Sequence, residues 1–276
     1  NLQQLTAQLT AADGKLRGKG SFTIHPFEEL PLRDANLVFT GLNPRVFSAE
    51  LPQADLSFSS QLEQKQAGQL SGRIAISNAQ ARPLDQEGIP LKDARLQLLF
   101  TGNAIHLDDI ALRLSEQEAA PGSLTGKVDW QIDTVTGAAD IQVRQLNPAV
   151  IKSDIRPADL SGKLHFTGNQ EIQQGIIKLQ DKALQLNMDM ALERTPAAIT
   201  IEKLDLMRGD SSLSGHGALQ LDESQPFTFE GFLKQFDVSA FADVPPSDLN
   251  AKFNLGGQLA PQPAGSMDFQ IDRSHF

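Results

Sequence analysis

The residues best equipped for chemistry stand apart from one another. Five histidines, His25, His106, His165, His216 and His275, have no spacing that would gather them round a metal ion, since a zinc site needs three or four converging donors. They read as solvated strand residues. Glu28-Glu29 and Asp108-Asp109 bring carboxylates together in what read as turns, but a glycosidase needs its pair opposed across the scissile bond. Gly18-Lys19-Gly20 and Gly215-His216-Gly217 carry the glycines of a phosphate cradle without the helix that must follow it. They read as bulges or narrow turns in strands. Ser211, Ser212, Ser214 and His216 put hydroxyls beside an imidazole, yet no Gly-x-Ser-x-Gly elbow surrounds them. The sequence reads as a non-enzyme without metal or cofactor.

The chemistry that remains is apolar. Large aliphatic and aromatic residues alternate with polar ones, which places them on one face of a strand. Phe22, Ile24, Leu37, Phe39, Ile74, Ile76, Leu98, Phe100, Trp130, Leu186, Met188, Phe227 and Phe229 are the candidate lining of a surface for an apolar ligand. Each could equally be a core position of a closed sandwich, because alternation looks the same in both.

The elements that carry them are strands. The pattern gives roughly eighteen to twenty, near the usual length of about five or six residues, with turn signals between most of them. Asp13-Gly14 reads as a hairpin turn within 1–24. Val128, Trp130 and Ile132 share a face, as do Leu184, Leu186, Met188 and Met190. The stretch 61–68 is helix-permissive but short and polar. Strict in-out alternation means one wet face and one dry face, as in an antiparallel sheet. A phrase at 30–41 returns at 89–102, with Pro31 matching Pro90.

A longer unit is written three times, near 42–58, 146–164 and 236–253. Asn43, Asn147 and Asp237 are good helix caps; Pro44 and Pro148 follow where a missing N–H costs nothing. Pro52, Pro157 and Pro245 or Pro246 then end the turn. Each copy closes on Ala-Asp-Leu or Ser-Asp-Leu opening a new strand, at Asp55, Asp159 and Asp248. This is a repeated corner of strand, single helical turn and strand, and it points to a repeat array. The expected architecture is all-β: one continuous segment over 1–276, a long, mostly antiparallel sheet curled lengthwise into an open hydrophobic trough.

Composition narrows the partners. The net charge of -10 is spread along the chain, which excludes the basic stripe that nucleic acid requires. There is no cysteine, so no disulfide or thiolate metal site. No window of 18 apolar residues spans a bilayer, no signal peptide opens the chain, and both ends read as cut from something longer.

Leu42-Asn43-Pro44, Leu146-Asn147-Pro148 and Phe236-Asp237, each followed by a turn, a proline and Asp-Leu, together with SLSGHGALQL at 212–221, resemble the TamB family of bacterial envelope proteins, related to AsmA and to the repeating β-groove lipid-bridge proteins. The resemblance covers most of 30–276. It implies a periplasmic rod anchored in the inner membrane by an N-terminal helix and meeting an Omp85-type outer-membrane barrel through a C-terminal domain. Neither end is recognisable, so this would be an internal segment, with no catalytic residues and no cofactor. It further implies a groove that shields phospholipid acyl chains between the two membranes and supports outer-membrane biogenesis and protein assembly. An alternative is a scaffold that offers a sheet edge to nascent barrel or autotransporter strands. A parallel β-helix carbohydrate enzyme would need short regular rungs and an acidic cluster, and neither is seen.

Overall fold

The computed structural model describes residues 4–10, 16–28, 30–114, 122–240, 247–272 and 274. Its regular elements are seventeen strands and four single turns of 3-10 helix. The chain divides into two compact units, Asn1–Ala158 and Asp159–Phe276. In the first, β1 (Gln4–Thr10), β2 (Arg17–Ile24), β3 (Leu32–Leu42), β4 (Leu56–Gln66), β5 (Gln69–Asn78), β6 (Asp93–Phe100), β7 (Ala104–Arg113), β8 (Ser123–Gln131) and β9 (Thr136–Leu146) follow one another. Each pairs antiparallel with the strand before it. The second unit holds β10 (Leu160–Gly168), β11 (Gln173–Asp181), β12 (Leu186–Arg194), β13 (Ala198–Arg208), β14 (Ser211–Gln220), β15 (Pro226–Phe236), β16 (Leu249–Gln258) and β17 (Ala264–Ile271), also an antiparallel meander. Among the described residues no register joins β1 to β9 or β10 to β17, so neither meander closes on itself and the sheet is open. The all-β, antiparallel expectation holds.

The strands are fewer and longer than expected, seven to eleven residues each. β4 shows why: it runs through the polar stretch to Gln66, because ladder hydrogen bonds need backbone and not apolar side chains. Ile132 and Leu184, expected in strands, lie in the turns beside β8 and β12. β1 and β2 pair as the hairpin predicts; the Asp13-Gly14 turn lies outside the described residues.

The three corners form as single 3-10 turns, Pro44–Val46, Pro148–Val150 and Val238–Ala240. Asn43 Oδ1 accepts from the N–H of Arg45 at 3.2 Å and also from that of Ala54 at 3.3 Å, on the returning chain. Asn147 Oδ1 accepts from Ala149 N–H at 3.1 Å. Asp237 Oδ1 accepts from Ser239 and Ser247 N–H groups at 3.0 and 3.1 Å. In the first and third copies the cap thus ties both legs of the corner together. Pro245 and Pro246 lie outside the described residues.

A second clamp closes two of the corners. The fully buried Asn78 (0% exposed) accepts from the N–H of Asp55 and donates to the Ile89 carbonyl. Asp181 (2% exposed) takes the same place after the next corner, accepting from the N–H groups of Asp159 and Leu184.

A left-handed residue stands two places before each cap: Gly41 (φ 72°), Gln145 (φ 51°) and Gln235 (φ 45°). Phe39 opposes Phe58 while Leu42 opposes Leu56, three residues against two; Leu233 and Phe236 show the same bulge against Ala251 and Leu249. The extra residue brings Leu42 and Phe236 back onto the dry face.

In the first unit the connections 43–55 and 79–92 on one rim are long, whereas on the other 67–68, 101–103 and 132–135 are short and 25–31 is longer. The long ones are gathered: Arg45 pairs with Glu87, Gln53 N–H donates to the Glu87 carbonyl at 2.7 Å, and Leu84 N–H to that of Ile151 at 2.8 Å. At β4 the sheet bends, since Cα atoms of β3 and β5 come within 8 Å, where flat next-but-one strands stand about 9.6 Å apart.

Burial pushes the Asp181 carboxyl up, but the N–H groups of Asp159, Leu184 and Ala183 outweigh it and hold it below its ordinary value. The Ser239 hydroxyl, then the Ser247 N–H, hold Asp237 low as well. Their counterparts Asn78 and Asn43 do not titrate. A lowered folded value gives stabilisation that is full above about pH 4 and lost as pH falls through that value. On acidification below about pH 4 the backbone amides held by Asp181 and Asp237 should therefore lose exchange protection before those held by Asn78 and Asn43. Asp181→Asn with Asp237→Asn should narrow that gap. At the left-handed positions, Gln145→Gly and Gln235→Gly should each stabilise by about 0.5–1 kcal/mol in urea unfolding, and Gly41→Ala should destabilise by about 1 kcal/mol.

Candidate functional site: an apolar sheet face

Opposed residues of neighbouring strands share a face, so the registers show what each face is made of. In the first unit one lane runs Phe39, Phe58, Ile76, Ala94, Leu112, Leu124, Val143 from β3 to β9. A second lane on the same face runs Phe22, Ala35, Leu62, Gly72, Leu98, Leu107, Val128 and Ala139. Leu37 and Ile74 lie on a third, and Phe100, Ile105 and Trp130 on a fourth, with Ile24 on the same face of β2. All nine candidates in this unit therefore share one face.

The second unit repeats the arrangement. Gly162, Leu179, Met188, Leu206, Leu213, Leu233, Ala251 and Ile271 make one lane, and Phe166, Gly175, Leu192, Ile201, Gly217, Phe229, Leu255 and Met267 another. Phe227 opposes Leu219 and Gly257 on the same face. Leu186 sits at its margin, between Asp181 and Arg208.

These faces are dry but not covered. Of the buried apolar residues, Ala35, Leu70, Ala94, Ile110, Val143, Ala251 and Phe253 lie on them. The larger candidates are only half-buried, and Trp130 is exposed. Two polar residues interrupt the face of β4: Ser60 Oγ and Gln64 Oε1 are buried without a hydrogen-bond partner.

Glycines give the lining its relief, and here the expectation of bulges or narrow turns is corrected. Gly18 and Gly20 oppose Phe39 and Leu37, and Gly217 opposes Phe229, inside regular ladders; the register shift nearest Gly215 and Gly217 belongs to β13, between Ile201 and Leu204. The ring lies flat where a Cβ would be. A methyl at Gly18 would stand 2.5 Å from Phe39 Cδ1, at Gly137 2.4 Å from Trp130 Cε3, and at Gly231 2.5 Å from Phe253 Cζ. Rings folded over the opposing strand keep the face low, and their centroids run from Phe229 to Phe253 (5.9 Å) to Phe269 (6.0 Å).

The opposite face holds the charge. Lys203 bridges Asp205 at 2.9 Å and Asp189 at 3.2 Å, and these two carboxylates hold its ammonium above the ordinary value. A cavity of about 890 Å³ on the polar side of the first unit mixes Arg33, Lys65 and Arg73 with Asp34, Glu63 and Asp108, so it presents no single sign to a ligand. His106 Nδ1 sits 2.7 Å from Asp129, His25 Nδ1 3.0 Å from Glu28, and among the described residues no cluster could hold a metal ion. Asp108 and Asp109 are in β7 rather than a turn, Asp109 forming a bulge at φ 49°. Ser211 Oγ donates to the Gln235 carbonyl at 2.6 Å.

The ring-over-glycine contacts should be energetically coupled. Gly231→Ala is expected to cost about 2 kcal/mol by overpacking and Phe253→Ala about 3–4 kcal/mol. The double variant should cost less than their sum by about 1 kcal/mol or more, read from urea midpoints. Comparison with protein families, with curated proteins and with solved structures finds no match to this chain.

Proposed function

We propose that this chain is a groove segment of a periplasmic bridging protein held at the inner membrane, and that its dry faces shield phospholipid acyl chains passing between inner and outer membranes. The observation that carries the reading is a set of apolar lanes, interrupted in β4 at Ser60 and Gln64, whose large side chains stay half-exposed. Each lane of the second unit crosses eight strands, about 34 Å at the usual spacing, against roughly 15 Å for the hydrocarbon of one leaflet. An acyl chain laid there gains about 0.8 kcal/mol per buried CH₂. Flat rings over glycine leave few knobs to stop it, and most charged groups lie on the other face or, like Asp181 and Arg208, at the margin. In the whole protein, an Omp85-type barrel would receive the cargo through a region outside this chain.

A second reading is a β-augmentation scaffold for nascent outer-membrane strands. It is favoured by the exposure of β17, where every residue is accessible. The two differ in what binds, lipid on a face or peptide on an edge.

Native mass spectrometry of the chain purified from bacteria, with lipid extraction, tests the leading reading. Co-purifying phospholipid should fall at least fivefold in Ile74→Asp with Leu98→Asp and in Met188→Asp, while circular dichroism stays unchanged. Capture of an outer-membrane strand peptide by the lane variants, lost on substituting Ile271→Pro in β17, would favour the scaffold. A folded chain that carries no lipid would sink the groove reading.

A further inference from the structure

The dry lanes of the second unit run out onto β17 uncovered: Met267, Phe269 and Ile271 are 52%, 52% and 57% exposed. The backbone of that edge has a definite polarity. The Asp272 N–H donates to the Asn250 carbonyl at 2.8 Å, and bonded and unbonded pairs alternate along an antiparallel ladder. The register sets Ile271 against Ala251, Gln270 against Lys252, Phe269 against Phe253 and Asp268 against Asn254. Asp268 and Gln270 therefore turn their N–H and C=O toward β16, and Met267, Phe269 and Ile271 turn theirs to the open edge.

A strand docking there must bond to these three residues and oppose them with apolar side chains. β17 itself meets that demand when run in reverse. We propose that β17 pairs antiparallel with β17 of a second copy of this chain, with Phe269 facing Phe269 across a twofold axis. In that register Met267 opposes Ile271 on the dry face, and the Phe229, Phe253, Phe269 series continues into the second copy. On the wet face Asp268 opposes Gln270, whose amide donates to the carboxylate. Moving the axis one residue either way opposes like charges: Asp268 meets Asp268, or Asp268 meets Asp272. The self-complementary register is the one that avoids both, and it does not depend on lipid.

Sedimentation of the unaltered chain comes first. A mass near 60 kDa, twice 30.0 kDa, that falls to monomer on dilution is expected; a monomer up to about 100 µM overturns the proposal. The chain has no cysteine, so introduced thiols report the register without background. Asp268→Cys and Gln270→Cys would occupy an unbonded pair with Cα atoms about 4.5 Å apart, within reach of a disulfide. Mixed under oxidation, the two variants should crosslink to each other at least tenfold faster than either crosslinks to itself. Self-crosslinking of Asp268→Cys at the mixed rate overturns the register. Gln270→Asp should weaken the dimer at least tenfold by opposing two carboxylates, and Asp268→Lys in that background should restore it; a dimer indifferent to both also overturns the pairing.

Discussion

Phase is the constraint on which this structure depends. Opposed residues of paired strands fall on the same face, so a single residue out of step would send a whole apolar set into water. Each corner threatens such a slip, because a strand must end, turn and re-pair with its last large side chain still on the dry side. The left-handed residue ahead of each cap deals with this. By setting three residues against two, Gly41 returns Leu42 to the face of Phe39, and Gln235 does the same for Phe236. The caps at Asn43 and Asp237 then hold both legs of the turn, and Asn78 and Asp181 pin the first N–H of the new strand pair. Without these groups the lanes would lose registration at each corner.

A sheet held in phase still has to be stable, and among the described residues few large apolar side chains are fully buried. A fully buried large side chain contributes about 1.5–3 kcal/mol, and residues left half-exposed realise only part of that. The ladders, the buried Asx clamps and rings packed flat on the neighbouring strand supply the remainder. The same economy leaves apolar area available. An open dry face is a standing demand for apolar cover, and a lipid chain on the face and a strand at the edge are two ways of meeting it.

Much of this was readable from local pattern. Alternation places Phe22, Leu37, Phe39, Ile74 and Leu98 on a common face, and Asx-Pro spacing locates the corners, because both depend on residues within one strand or one turn. What escaped depends on pairing. The glycines at 18, 20, 215 and 217 read as breaks when taken alone; only the register shows those at 18, 20 and 217 beside a residue whose side chain would collide with a Cβ. Asn78 and Asp181 carry no local sign of their role, since their partners Asp55 and Asp159 lie 23 and 22 residues earlier in the chain. Gln145 and Gln235 carry no sign of a left-handed backbone, and only the analogy with Gly41 could have hinted at it. Leu184 and Ile132 fit the alternation, but the chain had already turned.

The two rims of the first unit have unequal freedom to change. One is closed, beyond the connection at 25–31, by turns of two to four residues at 67–68, 101–103 and 132–135, where an added residue would be passed directly into a strand and invert its faces. The other carries connections of thirteen and fourteen residues at 43–55 and 79–92, already clamped at their bases by Asn43 and Asn78. Added length there is absorbed above the clamp and never reaches the lanes. Evolution can therefore elaborate this unit chiefly along one margin, acquiring new surface for recognition while the apolar lanes keep their phase. The same margin is where a tag, a fluorophore or a grafted binding loop belongs.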